Sequence, residues 1–236
     1  MEATRPTDFN RTVQIHRTSF AWLNARTIRP YALIAALAAL TLTGAVASNP
    51  VPRTIVAFGD SYFSGYGMQP GQSFPAQLER ALRARGQNAR VINAGVPGET
   101  IEDGLRRLDA TLAAKPDLII LELGANDGEQ GLDPAISRAN LDSMVARIRE
   151  AHVRVLICGA EAPEEFGETY RASFNPIFPT IAAKHQVPLY PFILDGVARN
   201  ADLIQDDGEH PNVKGVRVMV DRMLPAVERS INQPVR

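Results

Sequence analysis

The sequence predicts an α/β fold in which helices cover both faces of a five-stranded parallel sheet. Short runs rich in β-branched and aromatic residues alternate five times with segments whose apolar residues recur at helical spacing. One of these runs, DLIILEL at 117–123, is apolar on both faces except at Glu122, as expected of a strand covered on both sides. The chain of 236 residues is therefore predicted to form a three-layer α/β/α sandwich.

Five segments have the composition of strands. The first is RTIVAF, in which β-branched and aromatic residues dominate, and the later ones repeat this pattern. In chain order, the predicted strands are 53–58, 89–94, 117–123, 153–159 and 187–192.

Five segments between and after the strands have helical patterns. Gly86 follows the first as a stop signal, and the second begins at Thr100 with Asp103 three residues on, which resembles a capping box. Pro176 and Pro179 predict a kink or break in the fourth helix, and Pro225 predicts an interruption in the last. In chain order, the predicted helices are 73–85, 100–114, 134–151, 169–185 and 213–231.

The composition argues against several classes of partner and site. The chain is 45% hydrophobic and 22% charged with a formal net charge of −1, so it lacks the basic excess typical of nucleic-acid binding. Cys158 is the single cysteine, which rules out an internal disulfide. The sequence contains no CxxC or HExxH pattern, and we therefore expect no metal site.

The first 47 residues differ from the rest of the chain. Five arginines lie within 1–30, and the uncharged run YALIAALAALTLTGAVA follows at 31–47. This order is typical of a secretory signal, so we expect an extension with a signal peptide at 1–47 and one periplasmic or secreted domain at 48–236. The alternative is an uncleaved membrane anchor, because a run of 17 residues is near the lower limit for spanning a bilayer.

Four polar, glycine-rich segments lie at the ends of predicted strands or before the last helix. In open parallel sheets, ligands bind beyond the carboxyl ends of the strands, so these segments are expected to meet at one site. They are GDSYFSGYG at 59–67, GVPGET at 95–100, GANDG at 124–128 and DDGEHPN at 206–212.

Ser61 is the candidate nucleophile of this site, because it stands at the end of the first strand. A serine hydroxyl needs a general base, and His210 is the best one available. Asp207, three residues before it, can orient the imidazole as the acid of a Ser-His-Asp triad does, with Asp206 as the competing acid. Ser64 is the alternative nucleophile.

Three groups are candidate donors to the oxyanion of such a reaction. They are the backbone N–H of Ser61, the backbone N–H of Gly98 and the side-chain amide of Asn126. Each of these segments, taken alone, is also a common turn sequence, so the prediction depends on their agreement. The GDSYF segment does not match the G-x-S-x-G elbow of the α/β-hydrolases.

The segments FGDSYFSGYG, NAGVPGET, LELGANDG and DDGEHPN resemble the four motif blocks of the GDSL esterases, also called SGNH hydrolases. The four residues that give the second name would be Ser61, Gly98, Asn126 and His210. The likeness extends over 53–231 and is greatest to the bacterial branch of arylesterases, acyl-CoA thioesterase I and lysophospholipase L1. It implies a flavodoxin-like sandwich with a five-stranded parallel sheet, and no cofactor.

The residues and the resemblance together predict a serine hydrolase of carboxylic esters or thioesters, acting as a monomer on a small-molecule ester or lipid. The alternatives are a carbohydrate O-deacetylase with the same machinery and a non-catalytic binding protein on this fold. Segment 129–134 is either a substrate flap or an ordinary connecting loop. Glu122 is expected to have a hydrogen-bonding partner, because a carboxyl group in a buried strand is otherwise costly.

Overall fold

The computed structural model of the protein describes residues 51–234, and the expectations for 1–47 lie outside this range. Within it, five parallel strands form one sheet in the order β2-β1-β3-β4-β5, and helices surround them. The predicted fold class is therefore confirmed. The strands are β1 (Arg53–Gly59), β2 (Ala89–Gly95), β3 (Leu118–Glu122), β4 (Arg154–Cys158) and β5 (Leu189–Tyr190).

The centre of the sheet is the most deeply buried part of the described chain. β1 lies between β2 and β3, and all five residues of β3 are buried. Such strands have near-continuous apolar sequences because both of their faces are covered by helices. The prediction of a fifth strand over 187–192 was too long, since Pro188 and Pro191 flank β5 and proline has no N–H to donate to a neighbouring strand.

The helices form two layers. The helices after β1 and at the chain end pack against each other, while those after β2, β3 and β4 pack in a second group. In chain order, the helices are α1 (Ser61–Ser64), α2 (Phe74–Ala84), α3 (Ile101–Ala113), α4 (Ala125–Glu129), α5 (Pro134–Glu150), α6 (Gly167–Phe174), α7 (Ile177–His185) and α8 (Val213–Asn232). The first layer contains α2 and α8, and the second contains α3, α5 and α7.

The prolines have different effects on the two helices in which they were expected to act. The break predicted at Pro176 and Pro179 is confirmed, since α6 ends at Phe174 and α7 begins at Ile177. It lies at Pro176, whereas Pro179 is in the first turn of α7, where a proline is tolerated. The interruption predicted at Pro225 is wrong, because α8 continues through it. Buried residues on both sides of Pro225, among them Leu224 and Val227, hold α8 against the core and offset the missing hydrogen bond.

The strand order indicates the edge of the sheet at which a ligand would bind. The chain passes from β1 outward to β2 and then returns to the other side of β1 to form β3, so connections diverge between β1 and β3. In doubly wound folds, this divergence opens a crevice at the carboxyl ends of the two strands. The short helices α1 and α4 start at those ends. Within residues 51–234, no helix is both long and apolar enough to cross a membrane.

Candidate active site

Ser61 is the first residue of α1, directly after β1. Asp60 caps this one-turn helix, since its Oδ1 accepts the N–H of Tyr62 at 3.0 Å and lies 3.5 Å from Ser61 Oγ. The Ser64 hydroxyl donates to the Ser61 carbonyl at 3.1 Å, so Ser64 braces the turn that carries Ser61. The N–H of Ser61 has no partner within α1, because the first N–H groups of a helix never have one.

His210 and Asp207 lie in one tight loop before α8. Asp207 Oδ2 is 2.9 Å from His210 Nδ1, and Asp207 Oδ1 accepts the backbone N–H groups of Glu209 and His210 at 3.0 Å each. The Glu209 N–H bond, followed by those from His210, lowers the pKa of Asp207. A carboxylate held by these bonds presents its second oxygen to the imidazole in a fixed orientation. Asp206 is exposed beside it, and Asp207 is the acid that contacts His210.

Two tyrosines from the segment after β1 lie against the imidazole. The ring centroid of Tyr66 is 4.6 Å from that of His210, and the centroid of Tyr62 is 5.9 Å from it. Gln205 joins the two segments, because its Nε2 donates to the Tyr66 carbonyl at 2.9 Å while its N–H donates to the His210 carbonyl at 2.7 Å. These contacts bring the Ser61 and His210 segments together. The exposed fraction of the His210 side chain is 13%.

Asn126 connects three of the four predicted segments. It is the second residue of α4, and its Nδ2 donates to Asp60 Oδ2 and to the Glu99 carbonyl, at 3.0 Å in each case. Glu99 directly follows Gly98, so one amide group ties the loops after β1, β2 and β3 to each other. Both N–H bonds of the Asn126 amide already have acceptors, and an oxyanion at this point would share a donor with one of them.

Gly98 forms the tip of the turn after β2. Its φ is +80°, and the N–H of Glu99 donates to the Val96 carbonyl at 3.3 Å across the turn. Proline at the second position and glycine with positive φ at the third are typical of a type II turn. A β-carbon at Gly98 would have no atom within 4 Å, so the glycine serves backbone conformation rather than close packing.

Carboxyl groups surround the site. Two of them, Asp60 and Glu129, were not among the residues predicted to form it. Burial raises the pKa of Asp60 to about 6, although hydrogen bonds from Tyr62 and Asn126 act in the opposite direction. Partial burial, together with the carboxylates of Glu209 and Asp60, raises the pKa of Glu129 to about 7. Glu209 Oε1 also lies 3.7 Å from His210 Nε2. The site therefore has a negative electrostatic environment.

The segment 129–134, which follows α4, is held at several points. The Tyr170 hydroxyl lies 2.8 Å from the Leu132 carbonyl oxygen and 3.3 Å from that of Asp127. The Phe166 ring packs against Gly131, and its centroid is 5.2 Å from that of Tyr170. These contacts anchor the segment to α6, which favours a connecting loop over a flap.

Sequence reasoning missed Tyr66, Gln205 and the role of Asp60 as a shared acceptor. Glutamine in a loop carries no sequence signal, and its two partners lie far apart in the chain. Asp60 could have been found, because aspartate directly before a helix is a common N-cap. Within residues 51–234, no group of three or more His, Cys, Asp or Glu side chains has a geometry suited to a metal ion.

Comparisons with known proteins identify the family to which the chain belongs. The model of the GDSL-like Lipase/Acylhydrolase family matches residues 57–218. Esterase TesA of Pseudomonas aeruginosa is 34% identical over 196 residues, covering 80% of this chain and 98% of its own. Thioesterase 1/protease 1/lysophospholipase L1 of Escherichia coli K12 is 31% identical over 180 residues, covering 76% of this chain and 85% of its own.

A solved structure supports the same assignment. AlinE4, described as an SGNH-hydrolase family esterase, is 43% identical with a TM-score of 0.65, covering 77% of this chain and 98% of its own. The family match spans all four segments in which we predicted a site and extends into α8. The chain therefore belongs to the GDSL-like lipase/acylhydrolase family and is an ester-hydrolysing enzyme.

Proposed function

We propose that Ser61 is the nucleophile of this esterase, that His210 is its general base and that Asp207 orients His210. The observation that carries the proposal is the 2.9 Å contact between Asp207 Oδ2 and His210 Nδ1. An acceptor at Nδ1 keeps the imidazole proton on that nitrogen, so Nε2 retains its lone pair for the serine hydroxyl. Asp207 is held by two backbone N–H groups and cannot easily turn away.

The reaction would proceed through an acyl-enzyme. Ser61 Oγ attacks the acyl carbon while its proton passes to His210 Nε2, and the resulting imidazolium is stabilised by Asp207. The tetrahedral intermediate collapses, the bond to the leaving alcohol or thiol breaks, and the leaving group takes the proton from Nε2. Water then attacks the acyl carbon with His210 again as base, which frees the acid and restores the Ser61 hydroxyl.

The oxyanion donors in this proposal are the N–H groups of Ser61 and Gly98 and the amide of Asn126. Loss of a single such donor typically costs about 10²–10³ in kcat. Asn126 has a second role as well, because its amide joins Asp60 to the Glu99 carbonyl. It would therefore contribute both a donor and the relative placement of the three loops that form the hole.

The proposed substrates are small-molecule carboxylic esters and thioesters. We expect kcat/KM for p-nitrophenyl esters to rise from acetate by about fourfold per added methylene until the acyl site is filled, since each buried CH₂ contributes ~0.8 kcal/mol. The measurement is a series from acetate to dodecanoate, with acyl-CoA of matched length and acetylated xylan assayed in parallel. Activity confined to acetate esters and xylan would instead identify a carbohydrate O-deacetylase.

The N-terminal sequence supports a location for this activity. We infer that 1–47 contains a signal peptide and that 48–236, the hydrolase domain, acts as a monomer in the periplasm or outside the cell. The support is the basic flank, the apolar run and the small residues before 48. If the segment is not cleaved, the domain would instead be tethered to the membrane through 31–47.

A further inference from the structure

Glu122 is a buried acid that the proposed reaction does not use. It is the last residue of β3, its exposed fraction is 1%, and the four residues before it in the strand are apolar. Burying a carboxyl group is unfavourable unless it forms hydrogen bonds, and burying its ionised form is more so. The side chain therefore needs a partner, and its partner lies in the turn that carries Ser61.

Glu122 contacts the turn that carries Ser61 through Asp60. Its Oε2 accepts the backbone N–H of Asp60 at 3.1 Å, and both carboxyl groups are buried. Gly59 makes this approach possible, since a β-carbon there would overlap both the Glu122 carboxyl group and its carbonyl oxygen. The strand end at Gly59 is thus shaped around the Glu122 side chain.

Few positive charges face this pair. Arg107 of α3 reaches the end of β1, but it binds the Glu99 carboxylate and the Gly59 carbonyl. Cys158 of β4 lies beside Glu122, while Tyr62, Glu129 and His210 lie toward Asp60. In the part of the chain from 51 to 234, no lysine or arginine forms an ion pair with either carboxyl group.

Two neighbouring carboxyl groups, both buried and without a paired cation, cannot both be ionised at low cost. One proton must therefore lie between them. Burial and the adjacent Asp60 charge raise the pKa of Glu122 well above its ordinary value, whereas Asp60 receives several hydrogen bonds that favour its anion. This assigns the proton to Glu122 and the charge to Asp60.

We propose that Glu122 is a positioning residue, a neutral acid that accepts the Asp60 N–H and thereby places Ser61 and Asn126. Asp60 passes the effect on, because Oδ1 binds the turn at Tyr62 and Ser61, and Oδ2 binds the amide of Asn126. The inference rests on the proposed roles of Ser61 and Asn126. It adds a group that acts through Asp60 and does not touch the substrate.

Two substitutions test this role. Glu122→Gln keeps a neutral side chain of the same size whose oxygen can accept the Asp60 N–H, so kcat should stay within about threefold of the wild type. Glu122→Met removes the acceptor and leaves the Asp60 N–H unsatisfied, and kcat should fall by about 10- to 100-fold while KM changes little, since small displacements of reacting groups cost rates of this order. The measurement is steady-state hydrolysis of p-nitrophenyl butyrate at pH 8.

Glu79 provides a matched control. Its carboxylate also accepts a backbone N–H, that of Val91 at 2.7 Å, but it lies on α2, outside the candidate site. Glu79→Gln and Glu79→Met should leave kcat unchanged, even if Glu79→Met lowers the melting temperature. A loss of kcat specific to Glu122→Met, in a variant with a native circular dichroism spectrum, cannot then be ascribed to a general loss of a side-chain-to-backbone bond.

Stability against pH tests the proton itself, even if Glu122→Met does not fold. When folding raises the pKa of a carboxyl group, the free energy of unfolding falls as the pH rises above the pKa of the unfolded state. The reason is that the unfolded chain ionises first. Gln has no proton to lose. The melting temperature of Glu122→Gln relative to the wild type should therefore increase steadily from pH 5 to pH 8, whereas that of Glu79→Gln should not.

Three results would overturn the inference. The first is a wild-type kcat in folded Glu122→Met, and the second is a loss of kcat in Glu122→Gln as large as that in Glu122→Met. The third is a difference in melting temperature between Glu122→Gln and the wild type that does not change with pH. None of them affects the proposed function, which is tested separately by the loss of activity expected of Ser61→Ala. The two failures are therefore distinguishable within one set of variants.

Discussion

Ser61→Ala should lower kcat for p-nitrophenyl butyrate by about 10⁴- to 10⁶-fold, the range found when a triad nucleophile is removed. The reason is that no acyl-enzyme can form, and the remaining oxyanion donors and binding groups supply only residual catalysis. The fold should be retained, since the Ser61 side chain is only half-buried and the turn is held by Asp60 and Ser64. Steady-state kinetics with a thermal melt of each variant give the measurement.

Ser64→Ala is the matched control for this substitution. Ser64 is the same residue type three positions along α1, and it is the alternative nucleophile that the sequence leaves open. Its hydroxyl already donates to the Ser61 carbonyl, so its loss should loosen the turn and lower kcat by only a few-fold. If Ser64→Ala abolished hydrolysis while Ser61→Ala did not, the assignment of the nucleophile would be reversed.

Asp207→Asn should lower kcat by about 10²- to 10⁴-fold with little change in KM. Loss of the orienting acid of a buried triad costs about 10⁴, because the imidazole adopts the wrong tautomer. Asp207 is more exposed, with 36% of its side chain accessible, so solvent can replace part of its role. The kcat of the variant should be measured from pH 6 to pH 9, where the wild-type Asp207 stays ionised because its pKa is lowered.

Asp206→Asn offers a control that differs by one position. Asp206 has the same charge and lies in the same loop, but Asp207 is the residue that contacts His210 Nδ1. Removing the Asp206 charge should change kcat by less than about threefold, as expected of an exposed charge at a distance. Equal losses in the two variants would mean that the loop charge, and not the contact with Nδ1, is what the enzyme uses.

Much of the fold could be predicted because its elements are long and periodic. Strands such as β3 are continuous apolar runs, and α3 carries a capping box at Thr100 that is present in the structure. The helices α1 and α4 could not be predicted, since four or five residues contain too little of a helical period to be recognised. Both begin at the carboxyl ends of central strands, where loops had been expected.

The site was predictable in its residues more than in its contacts. The spacing of Asp207 and His210 is local, so their hydrogen bond could be anticipated from three residues of separation. The contacts of Gln205 with Tyr66 and of Glu122 with Asp60 join positions 139 and 62 residues apart. Such pairs depend on strand order and loop geometry, which a single sequence does not contain. Only the oddity of a buried glutamate pointed toward one of them.

Covalent labelling of Ser61 tests most directly whether this residue is the nucleophile. The folded wild-type enzyme, treated with a fluorophosphonate, should gain one phosphonyl group, and peptide mass spectrometry should place it on Ser61. Ser61→Ala should gain none, and Asp207→Asn should be labelled more slowly, because its histidine is a poorer base. A phosphonyl group found on another residue, or equal labelling of the wild type and Ser61→Ala, would contradict the central claim.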